Sequence, residues 1–199
     1  MRWAVVLLLV GCASAHLPRV PGDAPPAVND HEAEGRYQGL LERSTQSAAL
    51  YDNFDTRAFV RAVWQSPAFV EARVHRESQF KAMNPVETAD RVAAEQARCS
   101  SATEFFLAVH ANDPKYDDFS RPNSMWRLAL LVGDQSLVPL SVERLGRTNV
   151  EMRSYYSWME SFWVGYRVRF PSVTTSPGTV LTFQLASAVG QARLEFVAD

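Results

Sequence analysis

From Ser101 to the C terminus apolar and polar side chains alternate, most cleanly over Trp163-Val164-Gly165-Tyr166-Arg167-Val168-Arg169-Phe170. With a period of two, Val164, Tyr166, Val168 and Phe170 fall on one face of a strand, and Arg167 and Arg169 on the other. The same pattern predicts strands over 105–110, 124–132, 137–145, 162–170, 179–186 and 192–197. Gly133-Asp134, Pro177-Gly178 and Val189-Gly190 supply turn chemistry between them. Strands at such short spacing, with no helix between them, predict an antiparallel sandwich or barrel. The paired cysteines of antibody domains are missing, so the region is immunoglobulin-like in shape only.

Before Ser101 the period is helical, and residues 36–99 read as short amphipathic helices. Tyr37, Leu40 and Leu41 begin a stripe that continues through Ala48 and Tyr51. Phe59, Val60, Val63 and Trp64 are spaced as one helix face, with Asp55 in the N-cap position. Ser66-Pro67 marks a new start, because proline is tolerated in the first turn and breaks an interior. Phe69, Val70, Arg73, Val74 and Glu77 follow as a face of mixed polarity. In Asn84-Pro85-Val86-Glu87 a capping asparagine, a proline at N1 and a glutamate at the capping-box position announce another helix. The expected class is α+β, with helices 36–99 packed on a sandwich spanning 100–199.

Residues 12–35 read differently again. Pro18, Pro21, Pro25 and Pro26 lie among small and charged residues without apolar periodicity, a composition that forms no core and predicts a disordered tether. Upstream, Met1-Arg2 carries one positive charge, Trp3–Val10 is uniformly apolar, and Gly11 precedes Cys12. The apolar run is far shorter than the roughly 20 residues a membrane-spanning helix needs, and matches the hydrophobic region of a cleaved signal. Leu9-Val10-Gly11-Cys12 resembles the lipobox of bacterial lipoproteins. That resemblance implies removal of residues 1–11, lipidation of Cys12 and attachment to a membrane. In proteobacterial lipoproteins an aspartate after the cysteine commonly retains the protein at the inner membrane, so Ala13 implies the outer one.

Charge and cysteine content narrow the function. A formal net charge of −2 is too balanced for a nucleic-acid partner. With Cys12 lipidated, Cys99 is the one remaining thiol, so no internal disulfide forms, and burial is its expected fate. No dinucleotide-binding glycine pattern, phosphate loop or zinc signature occurs, and no cofactor is implied.

Three fragments invite chemistry. Ser78-Gln79-Phe80-Lys81 matches the S-x-x-K of β-lactamases, but neither S-D-N nor K-T-G accompanies it, which leaves an exposed helix surface as its reading. The loop Asn112–Asp118 holds Asp113, Asp117 and Asp118, the oxygen donors of a calcium site, in a spacing that is not an EF-hand; a solvated loop is expected. His110 beside Asp113 forms the minimal pair for a small hydrolase. The densest feature is Tyr155-Tyr156-Ser157-Trp158-Met159-Glu160-Ser161-Phe162-Trp163. Facing solvent, Tyr155, Tyr156 and Trp158 would stack on a glycan or anchor a partner; facing inward, they would fill the seam between helices and sheet. The leading functional expectation is a lipid-anchored envelope protein that binds a protein partner, with a glycan-binding module and the His110/Asp113 hydrolase as alternatives.

Overall fold

The computed structural model describes residues 30–52 and 55–198, so the lipobox, Cys12, Ala13 and nearly all of the tether lie outside the described residues. Among the described residues there are four helices, α1 (His31–Arg43), α2 (Pro67–Lys81), α3 (Pro85–Ser101) and α4 (Val150–Tyr155). The strands are β1 (Thr45–Asp52), β2 (Asp55–Trp64), β3 (Ala102–Ala111), β4 (Arg127–Val132), β5 (Gln135–Leu137), β6 (Ser141–Arg147), β7 (Val164–Pro171), β8 (Val180–Ser187) and β9 (Gly190–Val197).

The fold is α+β. Every strand pairing is antiparallel, in a five-stranded sheet ordered β1-β2-β3-β7-β6 and a four-stranded sheet ordered β5-β4-β8-β9. The inner faces of the two sheets meet over Phe105, Leu107, Tyr166, Phe170, Phe183 and Phe196, with ring centroids of Phe105 and Phe183 5.1 Å apart. The outer face of the five-stranded sheet carries a second core, in which Val63, Phe106 and Ala108 meet Tyr37 and Leu41 of α1, Phe69 of α2 and Met152 of α4. The molecule is thus three layers: helices, sheet, sheet. In β7 the expected division holds, with Val164, Tyr166, Val168 and Phe170 in the core between the sheets and Arg167 and Arg169 only partly buried on the other face.

Local chemistry sets the helix starts. Ser66 accepts from the Phe69 amide at 3.2 Å with Pro67 in the first turn. Asn84 accepts from the Val86 and Glu87 amides while Glu87 accepts from the Asn84 amide at 2.9 Å, completing the capping box. Gly178 takes a φ of +84°, which glycine adopts without a Cβ clash, and its amide donates to the Ala198 carbonyl at 2.8 Å.

Three expectations need correction. Residues 45–52 and 55–64 are the antiparallel strands β1 and β2, not helix, and Asp55 opens β2 instead of capping a helix. Strand β2 lies between two layers, sending Val60 and Ala62 to the inter-sheet core and Val63 to the helix core, so its apolar run is nearly continuous and mimics a helix face. Helix α1 begins at His31, within the segment expected as tether, because Asp30 caps it by accepting from the Glu32 and Ala33 amides at 3.0 and 2.9 Å. The single strand expected over 137–145 is two, β5 and β6, in different sheets; Val150–Tyr155, not anticipated, forms α4 behind the cap Asn149.

Phe105 touches Phe170, Phe183 and Phe196 in the inter-sheet core. Phe105→Ala is expected to lower the unfolding free energy by about 3–5 kcal/mol, through lost apolar burial and the cavity left behind. Urea denaturation monitored by tryptophan fluorescence checks it; a loss near zero would show that this core does not carry the fold.

Candidate functional site

The aromatic segment lies in the seam. Tyr155 and Tyr156 retain 8% and 6% of their exposure, Met159 is buried, and Phe162 alone projects fully, at 75%. Tyr156 lies flat on Phe106, centroids 3.9 Å apart and planes 7° from parallel. The close approach is helped by Gly165 on the neighbouring strand β7, where a Cβ would come within 3.0 Å of the Phe106 ring. Burial pushes the Tyr156 phenol up to about 12 and raises that of Tyr155, the latter also through the neighbouring Glu77 and Glu151 carboxylates. Trp158 is half-buried against Tyr156 and Trp163, with the Arg61 guanidinium over its ring at 4.9 Å. The coplanar, solvent-facing set a glycan platform requires is therefore not formed by Tyr155, Tyr156 and Trp158: an α+β domain fills its helix–sheet seam with such rings.

The loop aspartates are engaged in closing the crossover between sheets. Asp113 accepts from the Lys115 amide at 3.0 Å and pairs with its ammonium at 2.8 Å. Asp117 accepts from the Tyr166 hydroxyl and pairs with Arg144 at 3.2 Å. Asp118 is buried and accepts from the Ser124 hydroxyl and the Met125 amide at 3.0 and 3.1 Å. His110 packs its ring beside those of Phe59 and Trp163, with centroids 6.2 and 5.9 Å away. Among the described residues no group of three or more His, Cys, Asp or Glu side chains is arranged to hold a metal ion. Ser78 donates to the His75 carbonyl at 2.7 Å and Lys81 pairs with Glu77 and Glu151, so the S-x-x-K residues do not form a nucleophile pair. Cys99 is half-buried with its thiol directed to the Gln65 carbonyl at 3.5 Å, and burial holds the thiol in its protonated form by raising its pKa.

The groups brought together in a concave site are different ones. A cavity of about 320 Å³ lies where α2, α3 and α4 meet the outer face of the five-stranded sheet. Its centre is Glu95 of α3, 2% exposed, with Arg73, Arg91 and Arg98 guanidinium nitrogens at 2.8, 3.1 and 2.9 Å. Beside it Glu104 of β3 takes Arg98 at 3.1 Å and Arg167 at 3.4 Å. On the far side Glu77 of α2 and Glu151 of α4 share the Lys81 ammonium at 2.6 and 3.2 Å. Glu77 is buried, which raises its pKa, but the Lys81 hydrogen bond and the charges of Lys81, Arg91 and Arg73 outweigh burial and hold the carboxyl below its ordinary range. The apolar wall is Phe106, Leu145, Met152, Tyr155 and Tyr156.

None of these charges stood out as a site in the sequence. One sign was legible: Arg73 and Glu77 interrupt the apolar face Phe69, Val70 and Val74, where a core-facing helix would carry aliphatic side chains. Their partners Glu95 and Glu104 belong to other elements, and only folding brings them within 4 Å of a guanidinium.

No protein-family model and no curated protein matches the chain. Among solved structures it is similar to that of a novel protein of unknown function from Burkholderia pseudomallei, with 7% identity and a TM-score of 0.44 over 82% of this chain and 83% of that one. A likeness at that level carries no argument about function.

Two outcomes follow from the charge cluster. Glu95→Gln leaves Arg73 buried without its countercharge and is expected to lower stability by about 3–5 kcal/mol in urea unfolding; a loss under about 1 kcal/mol would show that the cluster rearranges freely. The depressed Glu77 pKa adds stability above the ordinary carboxyl value of 4.5, and this contribution falls as pH drops toward the folded-state value. Melting temperatures of wild type and Glu77→Gln should therefore converge as pH is lowered from 7 through about 4, and parallel curves would contradict the assignment.

Proposed function

We propose that the protein is a lipid-anchored component of a bacterial cell envelope that acts by binding another component there. The observation that carries this reading is Leu9-Val10-Gly11-Cys12 directly after a short apolar run and a single positive charge. Thiol and amino-terminal acylation of Cys12 would place several chains in the bilayer. Each buried methylene contributes about 0.8 kcal/mol, and two chains already hold a protein stably. Residues 13–29 would then lie between the anchor and the first described residues of the domain. Ala13 favours the outer membrane as destination.

A protein partner is supported by the surface at one side of the sandwich. Strands β5 and β6 each form an edge of their sheet, and the connection between them exposes Val138 and Leu140, at 61% and 63%. An edge strand with exposed apolar neighbours is a template for strand addition or apolar docking.

Metabolic labelling with an alkyne-bearing palmitate in a bacterial host tests the anchor. Wild type is expected to incorporate label and to sediment with membranes, and Cys12→Ser to lose both. Equal behaviour of the two proteins would overturn the lipoprotein reading. Cross-linking in intact cells, followed by mass spectrometry, tests the rest: one discrete envelope protein captured by wild type and lost with Cys12→Ser or Leu140→Asp is the expected result, and capture unaffected by either change would refute it.

A further inference from the structure

We infer that the cavity between α2, α3, α4 and the five-stranded sheet is a binding site for a small amphoteric molecule, of amino-acid to dipeptide size, that carries a free amino and a free carboxylate group. The inference does not depend on the anchor at Cys12 or on the edge-strand surface.

Charge distribution within the cavity is the first argument. The lining holds guanidiniums and carboxylates in equal number, Arg73, Arg91, Arg98 and Arg167 against Glu77, Glu95, Glu104 and Glu151, so it offers no net attraction to a purely anionic or purely cationic ligand. The charges are not evenly mixed, however. Around Glu95 and Glu104 lie four guanidiniums, of Arg73, Arg91, Arg98 and Arg167; Arg98 bridges both acids, and the half-exposed Arg167 also pairs with Glu143 at 2.9 Å. With Glu143 counted, that end still holds four guanidiniums against three carboxylates, an excess of positive charge toward an entering carboxylate, which guanidinium donors recognise in planar, paired geometry. At the other end, Glu77 and Glu151 converge on the single ammonium of Lys81. With Arg91 Nε also 3.9 Å from Glu77, this end balances Lys81 and Arg91 against Glu77 and Glu151; it is the less positive of the two ends, and suits an ammonium group.

Unfilled hydrogen-bonding capacity is the second. Glu77 is buried, and its Oε2 has no hydrogen-bond partner among the described residues; the nearest guanidinium nitrogen, Arg91 Nε, is 3.9 Å away. Arg73 is likewise buried with its Nε unpaired, although its Nη2 holds Glu95. A buried charged group left without a partner is costly, so one acceptor and one donor bordering the same cavity point to a ligand that supplies both kinds of group. Glu77 Oε2 is itself enclosed, so a ligand would reach it once the exposed Arg91 side chain moves aside.

Size and polarity of the remaining wall complete the fit. A volume of about 320 Å³ lies at the lower end of small-molecule sites, too small for a folded partner or an oligosaccharide. The floor of Phe106, Met152, Tyr155 and Tyr156 between the two charged ends accommodates the aliphatic middle of the ligand. The Tyr156–Phe106 stack makes this floor rigid, so little ordering accompanies binding.

The test is titration of the full chain with L-alanyl-L-alanine, followed by amide chemical shifts in NMR, beside its N-acetyl and C-amide derivatives. Saturable shifts below about 10 mM, confined to residues around Gln65, Glu95 and Tyr155, are expected. Each blocked derivative should bind at least about tenfold more weakly. Glu151→Gln, an exposed change that leaves folding intact, should weaken the free dipeptide while leaving the N-acetyl form unaffected; Arg167→Gln should likewise weaken the free dipeptide while leaving the C-amide unaffected. Absence of saturable shifts with the free dipeptide, or equal affinity for free and blocked forms, would overturn the inference.

Discussion

The structure depends on burial of one strand on both of its faces. Along β3 the side chains from Ala102 to Val109 are all buried, with Phe105, Leu107 and Val109 in the inter-sheet core and Phe106 and Ala108 under the helices. Such a strand joins two cores that would otherwise be separate, so helices and sandwich form one cooperative unit. It also fixes register: a slip of one residue relative to β2 or β7 would exchange the two faces and place Glu104 among the phenylalanines between the sheets.

Glu104 shows where the double burial meets its limit. It stands at the end of β3 where α3 hands the chain over, and Arg98 of α3 reaches it at 3.1 Å. Helix α3 buries only Thr88 and Glu95, so on its side the layer above the sheet is closed by ions, while α1, α2 and α4 close the rest with apolar side chains. Arg98 bridges Glu95 and Glu104, while Arg167 reaches Glu104 from the adjacent strand β7. Charged side chains pack less completely than aliphatic ones because each needs its own donor or acceptor geometry, and a cavity with unpaired polar atoms is what such a closure leaves. The cavity is thus a consequence of how α3 is written, with charges where a core helix would carry leucine.

The crossover from the five-stranded to the four-stranded sheet is the other place where polar groups organise the chain. Between β3 and β4, Trp126 stacks on Phe119 at 4.9 Å and donates its indole N–H to the Tyr116 carbonyl at 2.8 Å. Asp117 and Asp118 fasten the same loop to Tyr166, Arg144, Ser124 and Met125. A long connection over the end of a sandwich has backbone groups that no ladder satisfies; Asp113 and Asp118 accept from the Lys115 and Met125 amides, while Asp117 ties the loop to side chains of β6 and β7. Their density in the sequence reflects that structural need.

By itself the sequence determined what short-range chemistry controls: the α+β class, the strands β7, β8 and β9, the starts of α2 and α3 at their caps, and the division of Val164, Tyr166, Val168 and Phe170 from Arg167 and Arg169. Its expectations at Cys12 rest on the same local logic, since a signal is read along the chain before any fold exists. Tertiary structure decided the rest. Residues 45–52 and 55–64 became paired strands because β2 sends apolar side chains into both cores, Val60 and Ala62 to one and Val63 to the other, a circumstance that blurs alternation in the sequence. Tyr155 and Tyr156 became floor and not surface because α4 turns them under α2. The charge cluster around Glu95 could not be read in advance, for Arg73, Glu95 and Glu104 come from three elements and each is, taken alone, an ordinary polar position. Contact between distant residues is a property of the packed chain, and spacing along the sequence carries no record of it.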